Sequence, residues 1–308
     1  MNESDFLSVL HTLSPAGDLP SFALLRAICR QISCCYDAGE AKAVGLLLLE
    51  EAFGLSRTAV YADKVRHFSE EDCGRLADMC RRLQTGEPVQ YVIGAAWFCG
   101  RRFAVGPAVL IPRPETEELT NWAVAEAKAL PVSMVAPSRP LRLLDCGTGS
   151  GCIAVTLAKA LPEAEVWAVD LSAEALATAR ANAGRIGVDV NWLRHDLLHP
   201  WPEAMGTFDL IVSNPPYVLH RERADMETHV LDFEPPQALF VPDDDPLLFY
   251  RALAREAARR LRPGGALMVE TNCALAHEVA QLFSQSGLNS PKVRHDAFGR
   301  ERMVCARR

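Results

Sequence analysis

Residues 141–161 read LRLLDCGTGSGCIAVTLAKAL, and this stretch decides the fold class. The apolar run at its start is typical of a buried strand, and the longer apolar run from Cys152 is typical of a helix. Between them lie Asp145 and the loop Gly147–Gly151, whose glycines let the backbone bend sharply and approach a ligand at the start of a helix. A glycine turn without a ligand has the same pattern, so the loop by itself predicts only a strand–loop–helix unit.

Strand-like and helix-like runs alternate from this unit onward. The strand-like runs are AEVWAVD (164–170), VNWL (190–193), FDLIVS (208–213) and ALMVET (266–271), with helical runs from Ser172 and Phe249 between them. This alternation predicts an α/β fold with a mostly parallel sheet that helices cover on both faces. Residues 274–308 predict one more helix and then two strands, which we expect to form an antiparallel edge.

The first part of the chain has a different texture. Residues 1–85 place apolar side chains at helical spacing and predict a small helical bundle. Residues 86–112 mix β-branched and aromatic residues with Gly and Pro, which predicts a connecting β-hairpin. A second domain then covers 113–308, beginning with the helix PETEELTNWAVAEAKAL (114–130) and the loop PVSMVAPSRP (131–140).

Composition limits the class of protein. The 308 residues carry a formal net charge of −7, which argues against sequence-independent binding to a nucleic-acid backbone. No apolar run approaches the length of a membrane span, and the acidic start MNESDFLSVL lacks a signal-peptide pattern, so we expect a cytoplasmic location without membrane contact. The ten cysteines include no C-x-x-C pair, and we expect reduced, mostly buried thiols. We expect no metal, because the acidic run Asp243–Asp245 is accompanied by no other ligands and is typical of a solvated loop.

Asp170 ends the second strand-like run, 23 residues beyond Gly147. An acid at this place accepts hydrogen bonds from both hydroxyls of a ribose, which predicts a nucleoside-bearing cofactor. The dinucleotide fingerprint requires Gly or Ala three residues after its second glycine, but position 152 is Cys and Gly151 comes one residue early. This spacing favours S-adenosylmethionine over NAD.

The third strand is followed by Asp196 and Leu197. Here a carboxylate would reach the adenine amino group, and Leu197 would pack on the ring. An ordinary polar strand end explains the pair equally well when it is taken alone. Its place at the carboxyl edge of the sheet, where open α/β folds bind ligands, favours the cofactor.

The fourth strand ends in Ser213-Asn214-Pro215-Pro216-Tyr217. Two prolines remove two N–H donors and fix the backbone, so the corner is rigid and rich in acceptors. The Asn214 side-chain oxygen and the Pro215 carbonyl can each accept one hydrogen from a planar NH₂ group, on whose face Tyr217 would stack. Two prolines could also simply end a strand, but the position beside the expected cofactor favours methylation of an amide or exocyclic amine nitrogen.

Several segments together resemble the HemK/PrmC family of glutamine methyltransferases that modify peptide chain release factors. These segments are GEPVQYVIG (86–94), VLIPRPETEEL (109–119), LLDCGTGSGCIA (143–154), VDLS (169–172), SNPPY (213–217), FEPPQALF (233–240), FYR (249–251) and GRERMV (299–304). The resemblance covers most of the chain.

The resemblance implies a helical N-terminal domain that docks the release factor, a hairpin linker, and a Rossmann-like, seven-stranded S-adenosylmethionine-dependent methyltransferase domain. The substrate would be the glutamine of a Gly-Gly-Gln loop, methylated on its side-chain nitrogen, N5. We expect a monomer that makes no direct contact with nucleic acid.

The resemblance and the motifs together define the expected site. The expected cofactor-binding residues are Asp145, Gly147, Thr148, Gly149, Ser150, Gly151, Asp170, Asp196, Leu197 and Asn214. The expected catalytic residues are Asn214, Pro215, Pro216 and Tyr217. Some family members carry an aromatic residue where this chain has Leu197. Arg113 would line the entrance, although the start of a helix explains its segment nearly as well.

Three other functions remain open at this point. A sister enzyme that methylates a glutamine of a ribosomal protein would share the amide pocket. A DNA adenine amino-methyltransferase would use the same tetrapeptide, but it would need a basic DNA-binding surface that the charge balance does not indicate. A non-catalytic nucleotide-binding adaptor would have no use for Asn214 and Tyr217.

Overall fold

The computed structural model describes residues 3–14, 16–130 and 139–308 of the chain. The loop predicted at 131–140 therefore lies outside the described residues as far as position 138. Within the described ranges, none of the helices has the combined length and apolar character that a membrane crossing requires. The ten cysteines, all within these ranges, are free thiols, of which four are buried, three are half-buried and three are exposed, so the expectation that most are buried is wrong.

The chain divides into two compact units. The first runs to Gly94 and also takes in Glu227–Phe233. The second comprises Ala95–Met226 and Glu234–Arg308.

The first unit is mainly helical, as the spacing of apolar residues predicts. Its helices are α1 (Glu3–Leu13), α2 (Ser21–Ile32), α3 (Ala38–Phe53), α4 (Arg57–Tyr61), α5 (Glu70–Gln84), α6 (Val89–Ile93) and α10 (Thr228–Phe233). Two short strands, β1 (Asp18–Pro20) and β2 (Val65–His67), pair antiparallel. The buried core includes Leu24, Ile28, Leu48, Leu49, Leu76 and Leu83. Leu24 and Ile28 lie four residues apart in α2, and Leu76 and Leu83 lie seven apart, or two turns, in α5, so each pair shares one face of its helix.

Helix α6 differs from the prediction, because its residues lie within the segment 86–112 that was expected to form a hairpin. The carbonyl of Pro88 accepts hydrogen bonds from the backbone N–H groups of Tyr91 and Val92, and Gly94 ends the turn with a left-handed φ of 76°. The Arg82 guanidinium donates to the carbonyls of Tyr91 and Val92. These contacts outweigh the strand preference of the β-branched residues, and the hairpin is confined to Ala95–Ala104.

The second unit contains a large sheet and its covering helices. Its main strands are β5 (Arg142–Cys146), β6 (Glu165–Asp170), β7 (Asn191–Arg194), β8 (Phe208–Ser213), β11 (Leu261–Glu270), β12 (Asn289–His295) and β13 (Glu301–Arg307). Its helices are α7 (Pro114–Ala129), α8 (Cys152–Ala160), α9 (Ala173–Ile186), α11 (Leu248–Arg260) and α12 (Ala276–Gln285). Short 3₁₀ helices span Glu203–Met205, His220–Asp225 and Pro236–Ala238.

The described strands of this sheet lie in the order β12-β13-β11-β8-β5-β6-β7. The pairs from β11 to β7 are parallel, and β13 pairs antiparallel with both β11 and β12. The prediction of a seven-stranded, mostly parallel sheet with an antiparallel edge is confirmed. Leu143 of β5 packs in a core with α7, α8 and the hairpin, whereas Leu144 packs in a second core with α11 and α12. Helices thus cover both faces, as the apolar runs predict.

The hairpin of β3 (Ala95–Phe98) and β4 (Arg101–Ala104) belongs to this second unit. Phe98 and Phe103 are buried in the same core as Leu143. The buried side chain of Asn182 exchanges hydrogen bonds with both backbone groups of Ala104 and also donates to the Ser150 carbonyl at 2.9 Å. Asn182 therefore connects the hairpin to the glycine loop.

From β5 the chain adds β6 and β7 on one side of the sheet, and it then returns to add β8 on the other side of β5. The strand order therefore reverses at β5. In open α/β sheets such a reversal leaves a crevice beyond the carboxyl ends of the two central strands. A small parallel pair, β9 (Val218–Leu219) and β10 (Phe240–Val241), lies in the chain that follows β8. The carboxyl ends of β5, β6, β7 and β8 are where the sequence places its candidate residues.

Candidate active site

A cavity of about 360 Å³ lies beyond the carboxyl ends of the parallel strands, within the second unit. The expected residues that line it are Gly147, Thr148, Gly149, Ser150, Asp170, Asp196, Leu197, Asn214 and Pro216. A smaller cavity of about 50 Å³ is lined by Pro215 and Tyr217. Asn214 and Arg113 line both cavities. The structure thus brings together residues from four strand ends and the segment before α7.

The glycine loop follows β5 closely. Gly147, Gly149 and Gly151 all have positive φ angles, which L side chains rarely adopt. The N–H groups of Gly147 and Thr148 donate to the Val169 carbonyl at 2.9 and 3.0 Å, so the loop is bonded to β6. At Gly149 an added Cβ would meet open space, whereas at Gly151 it would lie 2.9 Å from the Ala179 Cβ. Gly149 therefore leaves room for a ligand, and Gly151 allows α9 to pack closely.

Asp145 and Gly151 are the two expected cofactor residues that do not line either cavity. The Asp145 side chain is fully buried and accepts hydrogen bonds from Thr148 Oγ1 at 2.6 Å and from the Ala154 N–H at 3.1 Å. Burial raises the pKa of Asp145 to about 7. In this geometry the Asp145 carboxyl group holds the loop against the first turn of α8.

Asp170 lines the large cavity at the end of β6. Its Oδ2 accepts a hydrogen bond from the Gly149 N–H at 2.8 Å, and its Oδ1 accepts one from the Ser172 N–H at 2.9 Å. Burial raises the pKa of this carboxyl group, while the hydrogen bonds oppose the shift. A carboxylate oxygen can accept more than one hydrogen bond, so both oxygens keep capacity for a ligand hydroxyl.

Asp196 and Leu197 follow β7 and also line the large cavity. Oδ1 of Asp196 accepts a hydrogen bond from the Leu198 N–H at 2.9 Å, and Oδ2 lies 2.9 Å from His199 Nδ1. Leu197 is buried and offers an apolar surface. The two side chains therefore place one acceptor and one apolar group at the same part of the cavity wall.

Asn214 lies at the end of β8, and its side-chain amide has a defined direction. Nδ2 donates a hydrogen bond to Thr116 Oγ1 at 3.0 Å. Neither Oδ1 of Asn214 nor the Pro215 carbonyl accepts a hydrogen bond from any described part of the chain. Among the described residues no donor engages these two oxygens, so both are able to accept further hydrogen bonds.

Tyr217 donates a hydrogen bond from its hydroxyl to Glu270 Oε1 at 3.0 Å. Burial, followed by the charge of Glu270, raises the pKa of Tyr217 well above its ordinary value, so the phenol remains protonated. Thr116 Oγ1 donates to the other oxygen of Glu270, Oε2, at 2.6 Å. The two hydroxyls thus share one buried carboxylate.

The sequence analysis missed Thr116 and Glu270. Glu270 is the last residue of β11, next to β8 in the sheet, so the same strand-end rule that singled out Asp170 applies to it. Nothing in the sequence pattern brings Thr116 to it across 154 positions.

Glu234 is a second buried carboxylate that the sequence analysis missed. It forms an ion pair with Arg113 and accepts a hydrogen bond from the Ile111 N–H at 3.1 Å. These contacts hold the segment before α7 at the cavity wall, where Arg113 was expected.

No group of His, Cys, Asp or Glu among the described residues has the arrangement of a metal site. In the acidic run, Asp243 accepts a hydrogen bond from the Arg221 N–H, and Asp245 pairs with Arg251.

Comparison with known proteins identifies two family matches. The PrmC N-terminal domain matches residues 24–94, and the Methyltransferase small domain matches residues 125–234. The release factor glutamine methyltransferase of Bacteroides thetaiotaomicron is 42% identical over 89% of this chain and 95% of its own length. That of Nitratidesulfovibrio vulgaris is 38% identical over 96% and 98%. Among solved structures, a T. thermophilus 16S rRNA N2 G1207 methyltransferase has a TM-score of 0.47 and 19% identity, covering 70% of this chain and 49% of that one.

Proposed function

The chain belongs to the release factor glutamine methyltransferase family, and from this premise we propose that it methylates the side-chain nitrogen, N5, of the glutamine in the Gly-Gly-Gln loop of peptide chain release factors. The observation that carries the proposal is the direction of the Asn214 amide, which leaves Oδ1 available beside the cavity. Because release factors act on the ribosome, the proposed reaction takes place in the cytoplasm.

The methyl donor in this proposal is S-adenosylmethionine, which supplies an electrophilic methyl group on a sulfonium when it is bound. The donor set of the large cavity fits its adenosine part. Asp170 offers two oxygens to ribose hydroxyls, and Asp196 offers an acceptor to the adenine amino group. Leu197 offers the apolar surface for the base, and Gly149 leaves open space beside the loop. Asp145 and Gly151 would support the loop from behind.

The amide nitrogen of glutamine is a poor nucleophile because its lone pair is conjugated with the carbonyl. In our proposal, Asn214 Oδ1 and the Pro215 carbonyl each accept one N–H of the substrate, which fixes the plane of the NH₂ group. Tyr217 packs on the face of the amide, and Pro216 keeps the corner rigid. As positive charge develops on nitrogen these hydrogen bonds strengthen, so they stabilise the transition state more than the bound substrate.

No general base is needed in this scheme. The methylated nitrogen carries a positive charge on an amide and is acidic enough to lose a proton to water. The arrangement therefore contributes by orientation and by accepting hydrogen bonds. The described residues around Asn214 fit a scheme without a general base, because the Glu270 carboxylate already accepts hydrogen bonds from two hydroxyls.

We propose that residues 1–85 dock the release factor, that residues 86–112 connect this domain to the catalytic one, and that the protein acts as a monomer without direct contact with nucleic acid. The names of the relatives support a release factor over a ribosomal protein as substrate. The net charge of −7 also disfavours the DNA alternative.

The decisive experiment incubates the protein and S-adenosylmethionine with a release factor, a ribosomal protein and DNA in separate reactions. We expect a mass gain of one methyl group in the release factor alone, located at the Gly-Gly-Gln glutamine by peptide fragmentation. A release factor with asparagine in place of that glutamine is the matched control and should gain nothing. Methylation of the ribosomal protein instead would overturn the assignment of the substrate.

A further inference from the structure

Glu270 is a carboxylate that is shielded from water. Only 1% of the residue is exposed, and burial raises its pKa, while the hydrogen bonds from Thr116 and Tyr217 oppose the shift. Isolating a carboxylate from water is costly unless its oxygens are hydrogen-bonded. Here each oxygen accepts one hydroxyl, Oε2 from Thr116 at 2.6 Å and Oε1 from Tyr217 at 3.0 Å.

These contacts impose a direction on the hydrogen bonds. The single hydroxyl hydrogen of Thr116 goes to Glu270, so the Thr116 oxygen can only accept from its other neighbour. That neighbour is Asn214 Nδ2, at 3.0 Å. An asparagine amide has a donor end and an acceptor end of nearly the same size, and this contact keeps the donor end away from the incoming substrate. When Glu270 is ionised its oxygens can only accept, and this fixes the direction of both hydrogen bonds.

We propose that Glu270 is a positioning residue, which acts through Thr116 and Tyr217 to hold the acceptor end of Asn214 and the ring of Tyr217 toward the amide of the substrate. The inference rests on the proposed function, since the direction of the Asn214 amide matters only if that amide accepts a hydrogen from a substrate NH₂ group. Glu270 would contact neither the substrate nor the methyl donor.

A purely structural role makes a different prediction. Replacing a buried polar group by an isosteric one would then change stability and would lower every activity of the protein in proportion to the folded fraction. A positioning role lowers turnover at saturating substrate in fully folded protein and leaves the affinity for the methyl donor nearly unchanged. The two roles are therefore separable by kinetics.

The variants follow from the hydrogen-bond direction. Thr116→Val keeps the shape of the side chain and removes the hydroxyl, whereas Thr116→Ser keeps the hydroxyl. Glu270→Gln introduces an NH₂ group that can only donate. If that group faces Thr116, the threonine hydroxyl can turn to Asn214, whose amide would then present its NH₂ end to the substrate. Glu256→Gln is the control, because Glu256 is equally buried on α11 and lines neither cavity.

We expect Thr116→Val and Glu270→Gln to lower kcat on release factor by about tenfold or more, which approaches the loss of about 10²–10³-fold for a removed transition-state hydrogen bond when the amide of Asn214 is fully misdirected. Calorimetric affinity for S-adenosylmethionine should change less than about twofold, and Thr116→Ser and Glu256→Gln should retain most of kcat. Full turnover of Thr116→Val with folded protein would overturn the inference.

A second measurement does not depend on activity. In protein with ¹⁵N-labelled asparagine, hydrogen exchange of the Asn214 side-chain NH₂ should be slow in the wild type and in Thr116→Ser, and faster in Thr116→Val. Equal exchange in all three would overturn the inference even if turnover fell. If the wild type does not methylate release factor but exchange follows this order, the positioning contact stands and the proposed substrate fails.

Discussion

The carboxylate of Asp170 accepts a hydrogen bond from the backbone N–H of Gly149 at 2.8 Å, which bonds the end of β6 to the loop that follows β5. The other oxygen accepts from the Ser172 N–H, which begins the turn into α9. One side chain therefore bonds two parts of the cavity wall together, and it is also the one proposed to accept hydrogen bonds from the ribose. A change at Asp170 should therefore alter both the shape of the cavity wall and the binding of the ligand.

Replacing Asp170 by Asn tests this double role. The amide NH₂ cannot accept the N–H of Gly149 or Ser172, so one contact is lost whichever way the amide lies. We expect the dissociation constant for S-adenosylmethionine to rise by about tenfold to a hundredfold, equivalent to about 1.4–2.8 kcal/mol. Isothermal titration calorimetry measures this dissociation constant. Asp189→Asn, at an exposed aspartate, is the control and should leave it unchanged. An unchanged affinity would remove Asp170 from the cofactor site.

Asn214→Ala tests the amide contact. The change removes the acceptor proposed for the substrate NH₂ group, so we expect kcat on release factor to fall by about 10²–10³-fold, the range for a lost oxyanion-type contact. Affinity for S-adenosylmethionine should fall much less, because Asp170 and the glycine loop are retained. Single-turnover rates and calorimetry separate the two effects. Asn289→Ala, at an exposed asparagine of β12, should leave both unchanged. Undiminished turnover in Asn214→Ala would contradict the mechanism.

Gly151→Ala tests the packing of the glycine loop against α9. The substitution requires an L residue at φ +81° and places a Cβ 2.9 Å from the Ala179 Cβ. We expect the free energy of unfolding to fall by about 2–4 kcal/mol, measured by urea denaturation. Gly184→Ala is the matched control, because Gly184 lies inside α9 and its added Cβ meets nothing within 4 Å. That change should stabilise by about 0.5–1 kcal/mol. Equal effects at both positions would contradict the packing argument.

The buried carboxyl of Asp145 should make stability depend on pH. Burial raises its pKa to about 7 from the ordinary 3.8, so between these values the native state binds more protons than the unfolded state. The free energy of unfolding should therefore fall as pH rises through this window. Asp145→Asn keeps one oxygen for Thr148 and Ala154 and removes the titration.

Urea denaturation at pH 5, 6 and 7 measures the effect of Asp145. Between pH 5 and pH 7 the wild type should lose about 2 kcal/mol relative to Asp145→Asn, at about 1.4 kcal/mol per pH unit away from the midpoint. Parallel pH profiles of the two proteins would show that Asp145 does not titrate in this window.

The fold class and most of the candidate site could be predicted from local patterns. Apolar runs of strand and helix length alternate along the second unit, and a parallel sheet with two covered faces is the arrangement that buries them. Asp170 ends its strand, and Asn214 and Asp196 follow the ends of theirs by one and two residues. Parallel strands bring their carboxyl ends to one edge of the sheet. Their meeting around one cavity therefore follows from chain order alone.

The segment 86–94 shows where local patterns failed. Val89, Val92 and Ile93 favour a strand by their branched side chains, yet they form helix α6. The Arg82 side chain and the Pro88 carbonyl, both outside the five residues of the helix, stabilise that turn. Short segments carry little intrinsic preference, so contacts from elsewhere in the unit decide their conformation.

By itself the sequence determined which side chains stand at the strand ends, because periodicity, glycine and proline act over a few residues. Only the tertiary structure decided how those ends are supported. It places Asp145 against the glycine loop instead of in a cavity wall, and it brings Thr116 to Glu270 across 154 positions. The physical reason is that a buried carboxylate needs hydrogen-bond donors, and their identity depends on which side chains the packed sheet and helices bring within about 3 Å.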